Sequence, residues 1–235
     1  MSNIKVVKIG GNVIDDESKL SRFLQEFASM KSPRILVHGG GKLATRLAGQ
    51  LKIETRMIDG RRVTDKVTLD VVTMVYAGLI NKRIVAALQG FGCNALGFSG
   101  ADAGIIRAVK RPAKPIDFGF AGDIVAVDGQ RLAAFAKEGI VPVICSIMHD
   151  GMGTLLNCNA DSVASAVASG VGRVSPTELI FCFEKNGVLR DVSDAASVIS
   201  EITAGTYPAL KAEGVISAGM IPKVENALKA VNEGV

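Results

Sequence analysis

Short, continuously apolar runs alternate along the chain with stretches whose apolar positions recur every three or four residues. Ile4–Ile9 (IKVVKI) reads as a buried strand and Asp16–Lys31 as an amphipathic helix. Arg34–His38 (RILVH) is a second strand, Lys42–Leu51 a second helix, and residues 66–90 a long helical stretch interrupted at Gly78. Asn94–Ser99 is a third strand. Ile105–Val109 and Asp123–Asp128 read as hairpin strands around a Pro-rich insertion, RPAKPIDFGFAG. Leu132–Glu138 is helical, Ile140–Ser146 extended, residues 160–169 helical and Glu178–Phe183 extended. Two short helices follow, near 203–213 and 223–233. Strands without polar alternation, separated by helices, predict an α/β fold with a mostly parallel sheet covered on both faces. No linker or internal repeat divides the chain. A change of character after the helix at 160–169 predicts two lobes of one domain, about 1–172 and 173–235.

Glycine-rich turns follow the first three strands. They are Lys8-Ile9-Gly10-Gly11-Asn12, His38-Gly39-Gly40-Gly41-Lys42 and Ser99-Gly100-Ala101-Asp102. Ligands of open parallel sheets bind outside the carboxyl ends of the strands. Glycine there lets backbone N–H groups approach an anion, and a helix N-terminus adds positive potential. One such turn is explained by tight-turn geometry alone; three at strand ends favour an anion site. Neither a P-loop nor a G-x-G-x-x-G fingerprint is present.

Three further segments stand out. Gly60-Arg61-Arg62-Val63-Thr64-Asp65 offers a guanidinium fork suited to a carboxylate. In Asn157-Cys158-Asn159-Ala160-Asp161, Asn159 is a candidate helix N-cap and Asp161 a dipole-favoured acid of the first turn. In Ser217-Ala218-Gly219-Met220-Ile221-Pro222-Lys223, a lysine sits at a positive helix end, which is unfavourable unless an anion faces it.

Composition narrows this little. The 235 residues are 48% hydrophobic and 21% charged, with 27 basic and 23 acidic residues giving +4, a scattered excess that does not point to nucleic acid. Cys93, Cys145, Cys158 and Cys182 have no C-x-x-C spacing and read as buried free thiols of a reducing compartment. No signal-peptide pattern precedes the first strand, and no apolar run approaches a membrane span, so a cytoplasmic protein without membrane partners is expected. His38 and His149 read as structural. No metal-ligand set is visible.

The ordered set KIGG, VHGGGK, GRRVTD, SGAD, DFGFAGD, NCNAD and AGMIPKV, from Lys5 to Val224, resembles the amino-acid-kinase family, and within it the N-acetylglutamate kinases. The resemblance implies a three-layer α/β/α sandwich around a mainly parallel open sheet, with an acceptor-binding N-terminal lobe and a nucleotide-binding C-terminal lobe. It implies transfer of the γ-phosphoryl group of ATP, carried with Mg²⁺, to the γ-carboxylate of N-acetyl-L-glutamate, a step of arginine biosynthesis. Lys8 and Lys223 then match the lysines on the transferring group, and Asp161 the carboxylate that holds them. Gly40, Gly41, Arg62, Asn157 and Asn159 match acceptor-binding positions. Gly10, Gly11, Glu184, Lys185, Gly187, Leu189, Ser217 and Gly219 match nucleotide-side positions. In Phe183-Glu184-Lys185-Asn186-Gly187 the chain departs from the family's aspartate and small loop. The family pattern also continues past the last helix with a further strand, so either a longer parent chain or a trimmed nucleotide lobe is expected. Regulated members carry an extra N-terminal helix, and with a strand starting at residue 4 no arginine feedback is expected.

A related acceptor (N-succinylglutamate or an α-aminoadipate derivative) stays open, and so does a non-catalytic ligand sensor, although Lys8, Asp161 and Lys223 are all kept. A dinucleotide-dependent oxidoreductase would need other glycine spacing. A homodimer is expected through residues 66–90, where Leu69, Val72, Val75, Tyr76, Leu79 and Ile80 exceed what one buried face requires.

Overall fold

The computed structural model describes residues 3–58 and 61–235. Its centre is a five-stranded, wholly parallel sheet in the order β11-β1-β2-β8-β5. The strands are β1 (Ile4–Ile9), β2 (Arg34–His38), β5 (Ala95–Phe98), β8 (Val141–Ile144) and β11 (Thr177–Cys182). β1 lies between β11 and β2, with Ile9 opposite both Cys182 and His38. It reads as a continuous apolar run because both of its faces are covered. Val7, Ile9 and Leu36 pack against α2 (Glu17–Ser29), α3 (Gly41–Gln50), α4 (Lys66–Thr73) and α5 (Asn81–Gly90). On the other face Ile4, Val6, Ile35 and Val37 pack against α6 (Gly129–Lys137) and α7 (Ala160–Gly172). The result is the expected three-layer α/β/α sandwich.

Helix starts follow capping chemistry. Asp16, Asp65 and Asp128 accept from the backbone N–H three residues on, at 3.0, 2.7 and 2.9 Å. Asn159 caps α7 by accepting from Asp161 N and Ser162 N at 2.9 and 3.1 Å. The two C-terminal helices, α8 (Tyr207–Ala212) and α9 (Ile221–Asn232), share a small apolar cluster of Leu210, Ile216 and Val224. A short helix, α1 (Gly11–Ile14), follows β1 and completes the set.

Several expectations change. Gly78 does not interrupt the long helix: α4 and α5 are joined without a break by a π-helical stretch, Met74–Ile80. A π turn keeps the backbone bonded while shifting the register of the faces, so a glycine there need not end the helix. Leu69, Val72, Val75, Tyr76 and Ile80 are all buried in the sheet-facing core, and only Leu79 of the expected surplus set is exposed. The apolar residues left on the surface of this helix are Val67, Met74 and Leu79. By length and composition Lys66–Gly90 is long and apolar enough to cross a membrane, contrary to the run-length reading. Its Leu69, Val72, Ile84 and Leu88 are nevertheless packed into the core of this fold.

The expected hairpin is present as β6 (Ile106–Lys110) and β7 (Gly122–Val127), within a four-stranded sheet that also holds β9 (Ile147–His149) and β10 (Leu155–Asn157). β9, β10 and a second hairpin, β3 (Arg56–Ile58) with β4 (Arg61–Val63), had no legible sequence pattern; β9, β10, β3 and β4 have three residues each. The segment after β4 is tied to the insertion by Thr64 N to Phe118 O at 3.0 Å and Phe120 N to Thr64 O at 2.6 Å. Cys93, Cys145 and Cys158 are buried free thiols as expected, and Cys182 is half-buried.

Gly129 of α6 packs closely against the backbone of α7. A Cβ there would lie 2.0 Å from Gly170 O and 2.2 Å from its carbonyl carbon. Backbone cannot yield as a flexible side chain can, so Gly129→Ala should cost roughly 2–3 kcal/mol by forcing α6 off α7. A urea midpoint unchanged from wild type would show that the helices move apart freely.

Candidate active site

The parallel strands end together, and two of the three glycine turns, those after β1 and β2, enclose with neighbouring side chains a cleft of about 220 Å³. The third turn, Ser99-Gly100-Ala101-Asp102, does not line it, contrary to expectation; there Asp102 accepts from Ser99 N and Ser99 Oγ at 2.6 and 2.8 Å. Ile4, Val6 and Lys8 share one face of β1 because strand side chains alternate. That face meets α7, so Lys8 emerges beside the start of α7, where Asp161 sits in the first turn. Lys8 Nζ is 2.6 Å from Asp161 Oδ1, and Lys223 Nζ donates to Asp161 Oδ2 at 3.1 Å. The Lys8 and Asp161 side chains are 8% and 7% exposed, and that of Lys223 is 22% exposed. Asp161 is therefore the anion that the lysine at the start of α9 required.

Burial pushes the Asp161 carboxyl upward, but the ammonium groups of Lys8 and Lys223 outweigh it and hold the group below its ordinary value. Burial pulls Lys8 below the usual lysine range, Lys223 adds repulsion, and Asp161 only partly offsets the two. One carboxylate thus serves two ammonium groups, leaving a net positive end to the cleft. α9 is fixed on α7 by Ser165 Oγ donating to Asn226 O at 2.8 Å.

The opposite wall is the Gly39–Gly41 turn. Asn81 Nδ2 donates to His38 Nε2 at 3.1 Å and to Val143 O at 2.9 Å. An accepting Nε2 leaves the proton on Nδ1, which donates to Gly39 O at 2.8 Å. Burial pulls the His38 pKa down to about 4, so the imidazole is neutral and structural, as expected. Gly40 has φ +157°, where L side chains are strained, and a Cβ there would also stand 2.1 Å from Ile80 Cδ1 and 3.1 Å from Tyr76 Cδ1 of the π-helical stretch, so the turn favours glycine. His149 accepts from Gly151 N at 3.2 Å and shapes a loop.

Arg62 lies on strand β4, not in the glycine-flanked turn expected; Gly60 falls outside the described residues. Its Nη2 donates to Gly41 O at 2.9 Å and to Thr45 Oγ1 at 2.7 Å, and the residue is 8% exposed. Asn157 Nδ2 donates to Thr64 Oγ1 at 3.0 Å, which in turn donates to Arg62 O at 3.1 Å. Lys8, Gly11, Gly40, Gly41, Arg62, Asn157, Asn159 and Asp161 all line the one cleft. Gly10 sits at its edge, its N–H donating to Cys182 O at 3.0 Å.

The remaining nucleotide-side candidates are more dispersed. Glu184 and Lys185 are exposed in the loop after β11, on the same side as Gly10. Glu184 accepts from Asn12 Nδ2, and Asn12 accepts from Lys42, which ties that loop to the Gly39–Gly41 turn. Gly187 is half-buried, Leu189 is buried and pairs with Val198, and Ser217 and Gly219 are exposed before α9. Sequence reasoning missed Tyr76, Arg61 and Arg111, which also line the cleft. Tyr76 was hidden in a helical apolar pattern, and only its position on the π-helical stretch turns it to the site. Arg61 was legible only as the neighbour of Arg62, and Arg111 only as the start of the Pro-rich insertion.

Residues 3–235 match the family described as the amino acid kinase family. The chain belongs to the amino acid kinase family. Among similar family members, a protein of Cytophaga hutchinsonii named acetylglutamate kinase is 52% identical over 236 residues, covering 100% of this chain and 89% of the relative. One of Bacteroides thetaiotaomicron with the same name is 50% identical over 232 residues, 99% of this chain and 90% of the relative. The crystal structure of smu.665 from Streptococcus mutans superposes with a TM-score of 0.82 at 27% identity, covering 100% of this chain and 93% of that one. This amino acid kinase therefore uses ATP and phosphorylates a small molecule, and its sheet and layers are those of the family.

Removing the shared carboxylate should expose the tension in the cluster. Asp161→Asn leaves Lys8 buried without an anion, which should cost on the order of 3 kcal/mol. The fold holds this carboxyl below the unfolded value of 3.8, so its stabilisation is complete above that value and fades as the pH falls toward the folded one. Denaturant midpoints at neutral pH should drop for the variant, and its acid-unfolding curve below that value should be flatter. Equal midpoints would mean the two lysines do not depend on Asp161.

Proposed function

We propose that the protein transfers the γ-phosphoryl group of ATP to the γ-carboxylate of N-acetyl-L-glutamate, the reaction named for its relatives and a step toward arginine. The observation that carries this is the Lys8–Asp161–Lys223 cluster at one end of the glycine-lined cleft. A γ-carboxylate is ionised at neutral pH, so its oxygen attacks the γ-phosphorus without a base. The bond to the β,γ-bridging oxygen breaks and ADP leaves. Such transfer needs positioning and charge neutralisation, which two ammonium groups and backbone N–H donors supply. Lys8 and Lys223 meet the charge on the transferring group, and Asp161 keeps their separation. Gly40 and Gly41 donate to the acceptor, Arg62 meets its α-carboxylate, and Asn157 and Asn159 lie at its acyl-amino end. Gly10 and Gly11, the loop holding Glu184, Lys185, Gly187 and Leu189, and Ser217 and Gly219 take the nucleotide side.

Residues 1–172 would form the acceptor lobe and 173–235 the nucleotide lobe. Among the described residues no cluster of carboxylates, thiols or imidazoles can hold a metal, and Asp161 is taken by two lysines. Divalent charge as Mg²⁺ would therefore arrive on the phosphates of ATP. The buried free thiols favour a cytoplasmic setting.

A coupled ADP-release assay with N-acetyl-L-glutamate tests the reading. Lys8→Ala should lower kcat by on the order of 10²–10³ with a smaller change in acceptor KM, as for loss of one preorganised charged donor. Arg62→Lys keeps the charge and loses the fork, so the acceptor KM should rise while that of ATP holds. A near-normal kcat in Lys8→Ala, or an Arg62→Lys defect chiefly in ATP, would reverse the assignments.

Val67, Met74 and Leu79 leave an apolar stripe on the Lys66–Gly90 helix, and a homodimer would cover it. Sedimentation at micromolar concentration should give twice the chain mass. A monomer there would leave the stripe to solvent and refute the pairing.

A further inference from the structure

The cleft carries positive charge beyond the lysine cluster and Arg62. Beyond Arg62, it is walled by Arg61 at the start of β4 and Arg111 just after β6. The same two arginines wall a second cavity of about 320 Å³, formed with Lys114, Ile116 and Phe118 of the Pro-rich insertion. They stand at the junction of the two spaces. Arg111 is fixed: its Nε donates to Asp123 Oδ2 at 3.1 Å, its Nη2 donates to Asp123 Oδ1, and its guanidinium lies 5.6 Å from the Phe118 ring centroid. Arg61 is half-buried beside it. Burial and the charge of Arg111 both disfavour its cationic form, and Asp123 only partly relieves this. Among the described residues, Asp123 is ion-paired with Arg111, and Arg61 is in no ion pair, while Lys114 adds a further cation in the second cavity.

We infer that this junction is the acyl subsite and that it is built for an acyl group ending in a carboxylate, so that the preferred acceptor is an N-acylglutamate with a dicarboxylic acyl chain. The inference rests on the proposed kinase reading and refines its acceptor. The γ-carboxylate of the acceptor faces the Lys8 end and its α-carboxylate faces Arg62. A neutral acetyl end would bring no anion to Arg61, and a cation desolvated on closure without a partner is costly. A terminal carboxylate offers Arg61 a bidentate partner instead. Ala121 and Gly122 line the cleft beside these arginines and set no bulky side chain against the intervening methylenes.

The test compares kcat/KM for N-acetyl-, N-butyryl- and N-succinyl-L-glutamate on the full chain. N-butyryl matches the length of N-succinyl without its terminal charge, which separates charge from size. Wild type should favour N-succinyl over N-butyryl and N-acetyl by at least about tenfold, the scale of a hydrogen bond to a charged group. Arg61→Gln, with its thermal midpoint checked, should lower the N-succinyl value on the order of 10–100-fold and bring the succinyl-to-butyryl ratio near one. If N-acetyl or N-butyryl is used as well as N-succinyl by wild type, or if Arg61→Gln lowers all three equally, the subsite assignment is overturned while the kinase reading stands. If none of the three is phosphorylated, both fall together. If Arg61→Gln does not fold, the wild-type succinyl-to-butyryl ratio decides by itself.

Discussion

The site depends on one carboxylate placed between two ammonium groups. Asp161 joins the end of a central strand, the first turn of a helix and the start of the last helix, positions far apart in the chain. The carboxylate is favoured there by the positive end of α7, by the Asn159 cap that orders this turn, and by the lysines themselves. The lysines in turn tolerate burial because Asp161 is present. Breaking any member leaves charge without compensation in a poorly hydrated place, so the cluster constrains how β1, α7 and α9 pack. It also leaves an excess of one positive charge, which suits a site that must meet the charge of a transferring phosphoryl group.

The facing wall is rigid for a different reason. Its shape comes from neutral hydrogen bonds and close packing. Asn81 on α5 bonds both His38 on β2 and the carbonyl of Val143 on β8, which pins the strand end from which the Gly39–Gly41 turn leaves. Ile80 and Tyr76 pack against Gly40, whose positive φ favours glycine, and Arg62 closes the turn through Gly41 O. The π-helical stretch carries Tyr76 and Ile80 to this wall, consistent with the frequent placement of such turns at functional sites. A charged, tightly paired end and an uncharged, close-packed turn together hold the cleft open without help from a ligand.

The Pro-rich insertion links the two. It is bonded to the segment after β4 on one side and, through Asn157 N to Phe120 O at 2.9 Å, to β10 on the other. Arg111 and Arg61 consequently meet across elements that share no local pattern. The charge they create lies where the cleft meets the second cavity.

The sequence by itself determined the layers. The strands of the central sheet are buried on both faces, so IKVVKI, RILVH and IVPVICS could be read as continuous apolar runs, with boundaries off by only a few residues. It also determined the glycine turns, the capping role of Asn159 and the need for an anion opposite Lys223, because each follows from local backbone geometry or a helix dipole. Three-residue strands such as β3, β4, β9 and β10 are too short to show a period and exist only through their partners. The continuity of the helix across Gly78, and the inward direction of Val72, Val75 and Ile80, were decided by packing on the sheet. Only the tertiary structure decided that Asp161 is the anion for Lys223, that Tyr76 reaches the site and that Arg61 stands beside Arg111. Pairing between residues tens of positions apart is a matter of chain topology, and no local pattern of apolar and polar residues encodes it.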